Sequence, residues 1–261
     1  MKKTTSIKQR LLRGEKLNGG WIEMFSPIGT EIMALSGYDL MLIDLEHGPG
    51  SLLDAISMMQ AAAQHGCPSL IRSTSNDPAS IKRTLDIGPA GIMVPNIRNV
   101  AEARALVDAC RYGPNGIRGA APALIRGSAY GHQIEDYDRY MREDFLLIAQ
   151  IESAEAVSQI DEISAVDGID MLFIGPCDLS GTLGKLSQYD SPAFCDTFAR
   201  IEEATLAAGK LLGTITFADW DARRLYANGH QLVISGADTL LLKSAALADV
   251  DALRKASGRN D

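Results

Sequence analysis

The chain has 261 residues, 46% of them hydrophobic, with a formal charge of −8 and a pI near 5.1. That is enough apolar material for one large core, and the acidity argues against a nucleic-acid or anionic-membrane surface. Cys67, Cys110, Cys177 and Cys195 form no CxxC pair and read as reduced thiols of a cytoplasmic protein; the basic residues 1–20 lack the apolar stretch of a signal peptide, and no apolar run reaches the roughly 18 residues of a spanning helix.

Short apolar runs bounded by Gly, Pro or Asp recur along the chain: GGWIEM (19–24), LMLIDLE (40–46), PSLIRS (68–73), GIMVPN (91–96), FLLIAQIE (145–152), MLFIGP (171–176), LLGTIT (211–216) and QLVIS (231–235). They read as buried parallel strands. Longer amphipathic segments lie between them and carry helix signals. Ser51 with Asp54 opens one, Asp77-Pro78 another, Asn99 with Glu102 a third and Ser191-Pro192 a fourth, while Gly66, Gly88, Gly209 and Gly229 mark helix ends. No Ser-, Gly- or Pro-rich linker divides the chain.

Eight β–α units in about 250 residues predict one (β/α)8 TIM-barrel domain over 1–261, with a doubly wound open sheet as the alternative. One connection is long. About 32 residues separate Arg111 from Asp144, a length that points to function, and this loop would carry Arg118 and Arg126.

In barrel enzymes the chemistry gathers at the carboxyl ends of the strands. Those ends carry Trp21 and Glu23; Asp44, Glu46 and His47; Arg72; Pro95-Asn96; Gln150 and Glu152; Asp178; Thr214 and Thr216; and Ser235. Glu152 and Asp178 lie one β–α unit apart and can share a divalent cation. With no His or Cys pattern beside them the site would be oxygen-rich, which favours Mg²⁺ or Mn²⁺. Read singly, each of the two can equally be a helix-capping residue. His65 falls at a helix C-terminus, His230 precedes the last strand at the opposite rim, and His132 lies in the long loop. His47 alone stands at a functional rim, where it suits a general base. No predicted strand carries a lysine, which argues against an imine mechanism.

Six stretches in order, DLEHGP (44–49), IRSTSNDP (71–78), LDIGPAGIMVPNIRNVAEA (85–103), RYGPNGIRG (111–119), QIES (150–153) and FIGPCDLS (173–180), together resemble the metal-dependent pyruvate aldolases of the 4-hydroxy-2-oxoheptanedioate aldolase (HpcH/HpaI) family. The resemblance spans roughly residues 8–250. It implies a barrel of the phosphoenolpyruvate/pyruvate-binding type, and an aldolase that joins or releases pyruvate and an aldehyde. Glu152 and Asp178 match the ligands of a divalent cation (Mg²⁺, Mn²⁺ or Co²⁺), His47 the base and Asp86 its partner. Arg72 matches the arginine on the pyruvate carbonyl oxygen, Gln150 a glutamine beside the metal, and Trp21 a tryptophan lining the site. The backbone of Gly175, Pro176, Cys177 and Asp178 matches the carboxylate pocket. Cys177 departs from the pattern, standing where alanine is expected.

The resemblance further implies a homohexamer whose last helix, about 238–256, is swapped between subunits. The rival readings are a citrate-lyase-β-like or malyl-thioester lyase, which needs a coenzyme A site, and a non-catalytic barrel that binds a metabolite.

Overall fold

A computed structural model describes residues 5–258; the first four residues of the basic amino-terminal stretch and the last three of the 1–261 domain lie outside it. The strands are β1 (Leu17–Ile22), β2 (Leu40–Asp44), β3 (Ser69–Arg72), β4 (Gly91–Val94), β5 (Leu146–Ile151), β6 (Met171–Ile174), β7 (Leu211–Ile215) and β8 (Leu232–Ala237). The helices are α1 (Ile7–Leu12), α2 (Pro27–Leu35), α3 (Leu52–Gln64), α4 (Pro78–Asp86), α5 (Val100–Cys110), α6 (Ile134–Glu143), α7 (Ala154–Ser158), α8 (Ile160–Ser164), α9 (Pro176–Thr182), α10 (Pro192–Ala207), α11 (Ala222–Ala227) and α12 (Asp238–Ala256). All eight strands are parallel and hydrogen-bonded in sequence order, and β8 closes on β1. The barrel is therefore a closed one and not an open doubly wound sheet. Among the described residues no helix is long and apolar enough to cross a membrane.

Period-2 alternation sorts the strand residues between two environments. Leu17, Leu40, Leu42, Leu70, Met93, Ile148, Met171, Phe173 and Leu232 fill the barrel interior, joined from below by Ile7 and Leu11 of α1, which plugs the amino-terminal end. Met41, Ile43 and Ile71 turn outward to Met33, Met58 and Met59 of α2 and α3, and a larger outer cluster surrounds β4 to β7. Strands buried on both faces carry no polar alternation, which is why they read as continuous apolar runs.

The helix signals mostly work as their chemistry suggests. Ser51 and Asp54 form a reciprocal capping box on α3, and Asp77 accepts from the backbone of Ser80 at the start of α4. Asn99 caps α5, but the Glu102 carboxylate turns away to the backbone and guanidinium of Arg98. Ser191 makes no cap on α10; its hydroxyl donates to the Gln188 carbonyl at 2.9 Å.

β1 starts two residues before its apolar run, because Leu17 N–H finds the Gln231 carbonyl at 2.8 Å. It ends early because the backbone N–H groups of Glu23 and Met24 turn to the Asp238 carboxylate at the head of α12. The long connection is not structureless. It holds a single 3-10 turn (Arg126–Ser128) and α6, and it docks at the amino-terminal rim, where Arg118 binds Asp86 and Arg126 donates to the Ile87 carbonyl. The two loop arginines therefore lie away from the carboxyl-end rim.

Candidate active site

Alternation also builds the carboxyl-end rim. Leu42 and Leu70 point into the barrel, so Asp44 and Arg72, two residues on and paired in register, point inward one layer higher. Arg72 donates from Nε to Asp44 Oδ1 at 2.8 Å and from Nη2 to Asp44 Oδ2 at 2.6 Å, a bidentate pair in which Asp44 is wholly buried. Its Nη1 lies 2.9 Å from Glu46 Oε2, and its Cζ stands 4.5 Å from the centre of the Trp21 ring. The arginine is thus fixed on three sides by Asp44, Glu46 and Trp21.

Gln150 and Glu152 follow Ile148 on the inward phase of β5. Gln150 Nε2 donates to Glu152 Oε2 at 2.5 Å, and Asn96 N–H, on a residue held at φ +55°, donates to Glu152 Oε1 at 2.7 Å. Burial pushes the Glu152 carboxyl up to about 7; the Asn96 bond and Arg72 oppose this, and the carboxylates of Asp178 and Glu46 add to it. Glu46 is likewise raised by burial, against the pull of Arg72 and His47. Asp178 lies in the first turn of α9, exposed beside Cys177, and its charge reaches both glutamates. Gly175 makes the cluster possible. A Cβ there would stand 2.4 Å from Glu152 Oε2 and 2.8 Å from Gln150 Nε2. Pro176 then opens α9 at its first position.

Gln150 Oε1 is buried and has no hydrogen-bond partner. An orphaned amide oxygen, a carboxylate raised chiefly by burial and further by its acidic neighbours, and a second carboxylate on the adjacent unit form a donor set of oxygens with excess negative charge. That set fits a hard divalent cation. Among the described residues no group of three or more His, Cys, Asp or Glu side chains is arranged to hold a metal.

His47 stands exposed on the same rim, its Nε2 4.0 Å from Glu46 Oε2. The Gly48-Pro49-Gly50 break after it has a steric cause: the Phe25 ring lies where a Cβ on Gly50 or Gly48 would stand, at 2.1 and 2.5 Å. Asp86 is elsewhere. It closes α4 at the amino-terminal rim and accepts from Arg118 Nη2 at 2.7 Å, so within one chain it is at the opposite end of the barrel from His47. His230 is buried against Glu202 at 2.9 Å, and His65 pairs with Glu31 at 3.0 Å, both away from the rim. The four cysteines are free thiols.

Sequence reasoning left three rim contacts unassigned: Asp44 as the bidentate partner of Arg72, Glu46 as its second carboxylate, and the backbone N–H of Asn96 on Glu152. The first two had a signal in the DLE stretch, whose alternation puts Asp44 inward. The third is a main-chain group that no residue type announces.

Fold and rim together define a (β/α)8 enzyme with an arginine and an oxygen-rich acidic cluster at the strand ends. The chain belongs to the HpcH/HpaI aldolase/citrate lyase family, whose model matches residues 18–245. It is 38% identical to a hydroxypyruvate/pyruvate aldolase of Delftia acidovorans over 95% of this chain and 92% of that one. It is 37% identical to a 2-keto-3-deoxy-L-rhamnonate aldolase of Escherichia coli over 93% of this chain and 90% of that one. A crystal structure of an HpcH/HpaI aldolase/citrate lyase family protein from Burkholderia cenocepacia superposes with a TM-score of 0.89 at 33% identity, over 96% of this chain and all of that one. The relatives are named as aldolases, which are carbon–carbon lyases, and the chain is an enzyme of that class.

Proposed function

We propose that the chain is a divalent-metal-dependent pyruvate aldolase that cleaves or forms 4-hydroxy-2-oxo acids, with pyruvate and an aldehyde as the other side of the reaction. The observation that carries this reading is the orphaned Gln150 Oε1 beside Glu152, an oxygen site whose charge calls for a cation. Glu152 and Asp178 would hold it, and a bound Mg²⁺, Mn²⁺ or Co²⁺ supplies Lewis-acid polarisation of a 2-oxo acid.

The chain's own groups take the remaining tasks. A guanidinium has five N–H donors, and the contacts to Asp44 and Glu46 use three, so two remain for the carbonyl oxygen on which enolate charge develops. The N–H groups of Cys177 and Asp178, unbonded in the first turn of α9, suit the substrate carboxylate. Cys177 acts there through its backbone, so a thiol in place of a methyl is compatible with that task. His47, exposed at the rim, takes the proton of the 4-hydroxyl as the C3–C4 bond breaks and returns it in the aldol direction.

Pairing of His47 with Asp86, which the family resemblance assigns, requires Asp86 from a second copy of the chain, because α4 ends at the far rim. The exposed leucines of α12 (Leu240, Leu242, Leu253) and apolar side chains of α2 (Ile28, Ile32, Leu35) support an assembly that covers them, in keeping with a hexamer that shares its last helix.

The test is pyruvate release from a 4-hydroxy-2-oxo acid in chelator and after addition of Mg²⁺, Mn²⁺ or Co²⁺. Loss and recovery are expected. Full activity in chelator, or trapping of pyruvate on the chain by borohydride, rejects the reading.

A further inference from the structure

The rim opposite the acidic cluster carries a cavity of about 450 Å³, between the end of α5, α6 and the chain entering β5, β6 and β7. We propose that it is a second ligand site, which takes a small organic carboxylate on Arg118 and Arg111.

The cavity is cationic on an acidic protein. Five basic and three acidic side chains line it. Most of these are already engaged. Lys8 pairs with Asp170 at 2.7 Å, Arg142 pairs with Asp138, and Lys210 donates to the carbonyls of Val166 and Ile169. Two arginines keep capacity in reserve.

Arg118 is 4% exposed. Its Nη2 serves Asp86 and the Tyr137 hydroxyl, but its Nε–H is buried with no acceptor. An unanswered guanidinium N–H in a buried site is the kind of group a ligand oxygen satisfies. Arg111 is half-buried and, among the described residues, has no ion pair. Its guanidinium lies over Gly168, where a Cβ would stand 2.3 Å from Nη2, so only glycine leaves it that position.

The Tyr112 ring lies 4.8 Å from Arg118 Cζ. Its buried hydroxyl lies beside that of Tyr137, and an anion in the cavity would compete with Tyr137 for its proton. The remaining wall is apolar, from side chains such as Met141 and Phe145. Unanswered donors in a roomy, partly apolar chamber fit a carboxylate with a hydrocarbon body better than a compact inorganic anion. The volume is within the range of small-molecule sites, about 300–1,000 Å³.

The probes are succinate, benzoate and inorganic phosphate, titrated by calorimetry into the full chain and into Arg111→Gln, Tyr112→Phe and Arg72→Lys. Saturable binding of succinate or benzoate that survives Arg72→Lys is expected. It should weaken about ten- to a hundredfold in Arg111→Gln and severalfold in Tyr112→Phe, which removes only a hydroxyl and keeps the ring. Thermal melting of each variant shows that the chain is folded. Carboxylate binding that is abolished by Arg72→Lys and indifferent to Arg111 and Tyr112 places it at the other rim and overturns the proposal. So does absence of saturable carboxylate binding at millimolar concentration. Phosphate binding in preference to both carboxylates overturns the assigned ligand class.

Discussion

Arg72 and Asp44 face each other across neighbouring strands as a bidentate ion pair with N···O distances of 2.8 and 2.6 Å, buried at the top of the barrel interior. The pair holds the guanidinium plane in one orientation, and Trp21 supports its face. Lysine at position 72 would keep the charge but neither the fork nor the stack. Arg72→Lys is therefore expected to lower aldol cleavage about 10²–10³-fold, the usual loss for one electrostatic donor at a reacting oxygen. Steady-state kinetics check this, and near-normal turnover would show that Arg72 serves the fold alone.

Removing the other partner should act on stability as well. Asp44→Ala leaves a buried guanidinium with the partly exposed Glu46 as its remaining ion-pair partner and Glu152 as a more distant counter-charge. Breaking a buried pair from one side costs about 3–5 kcal/mol. Urea unfolding should show a loss toward the lower end of that range, since Glu46 remains. A variant as stable as the parent would mean that water reaches the site freely.

The barrel was legible because strands buried on both faces are continuous apolar runs, and eight of them recur at β–α spacing. The polar rim was legible for the same reason: Asp44, Arg72, Gln150 and Glu152 interrupt apolar runs at their carboxyl ends. What joins them was not. Arg72 meets Asp44 only through the register of β2 and β3, and Glu152 is held by a main-chain N–H of Asn96 in a left-handed conformation. Ser191 shows the limit of local signals, since its hydroxyl had a nearer carbonyl at Gln188. The length of the 111–144 connection pointed to function; within one chain its arginines dock under α4, because Asp86 and the Ile87 carbonyl at the end of that helix offer acceptors there.

Glu152 should give the cation-free protein a distinctive pH dependence. Its carboxyl lies at about 7 in the folded chain against a usual 4.5, raised mainly by burial. A carboxyl raised on folding binds its proton more tightly when folded. The stability it contributes is full below about pH 4.5 and is lost as pH rises through about 7, a change of up to about 3 kcal/mol. Urea unfolding in chelator at pH 5 and pH 8 should show this fall, and Glu152→Gln should flatten it. Added Mg²⁺ or Mn²⁺ should restore stability at pH 8 in the parent and not in Glu152→Gln, since a ligand of the folded state adds about 2.7 kcal/mol at a hundredfold excess over its Kd. Equal slopes in parent and variant would show that Glu152 is not the titrating group, and an equal gain from the added cation would remove it from the cation site.

The apolar face of α12 gives a test of assembly. Leu242 and Leu253 are 60% and 62% exposed in the single chain. Surface substitutions at uncovered positions usually change stability by less than about 0.5 kcal/mol. If a neighbouring copy covers the helix, Leu242→Glu with Leu253→Glu should reduce the mass measured by light scattering and lower the melting temperature. An unchanged oligomer, or a parent that is already monomeric, argues against a shared last helix.

His47 can be separated from the cation site by comparing two reactions. Aldol cleavage needs a base, because the 4-hydroxyl must lose its proton. Decarboxylation of oxaloacetate deprotonates no hydroxyl, since carbon dioxide leaves, yet under the proposed mechanism it would need the same stabilisation of enolate charge by Arg72 and by a cation held at the acidic cluster. His47 is exposed and makes no close hydrogen bond to that cluster, its nearest carboxylate being Glu46 at 4.0 Å. His47→Ala should therefore lower cleavage by about 10²–10⁴-fold, the usual worth of a general base, and largely spare decarboxylation and cation binding. Glu152→Ala and Asp178→Ala should remove both activities. Equal loss of both in a folded, cation-binding His47→Ala would make the histidine a support for the enolate site through Glu46. Loss of neither would leave it a solvated residue at the end of β2.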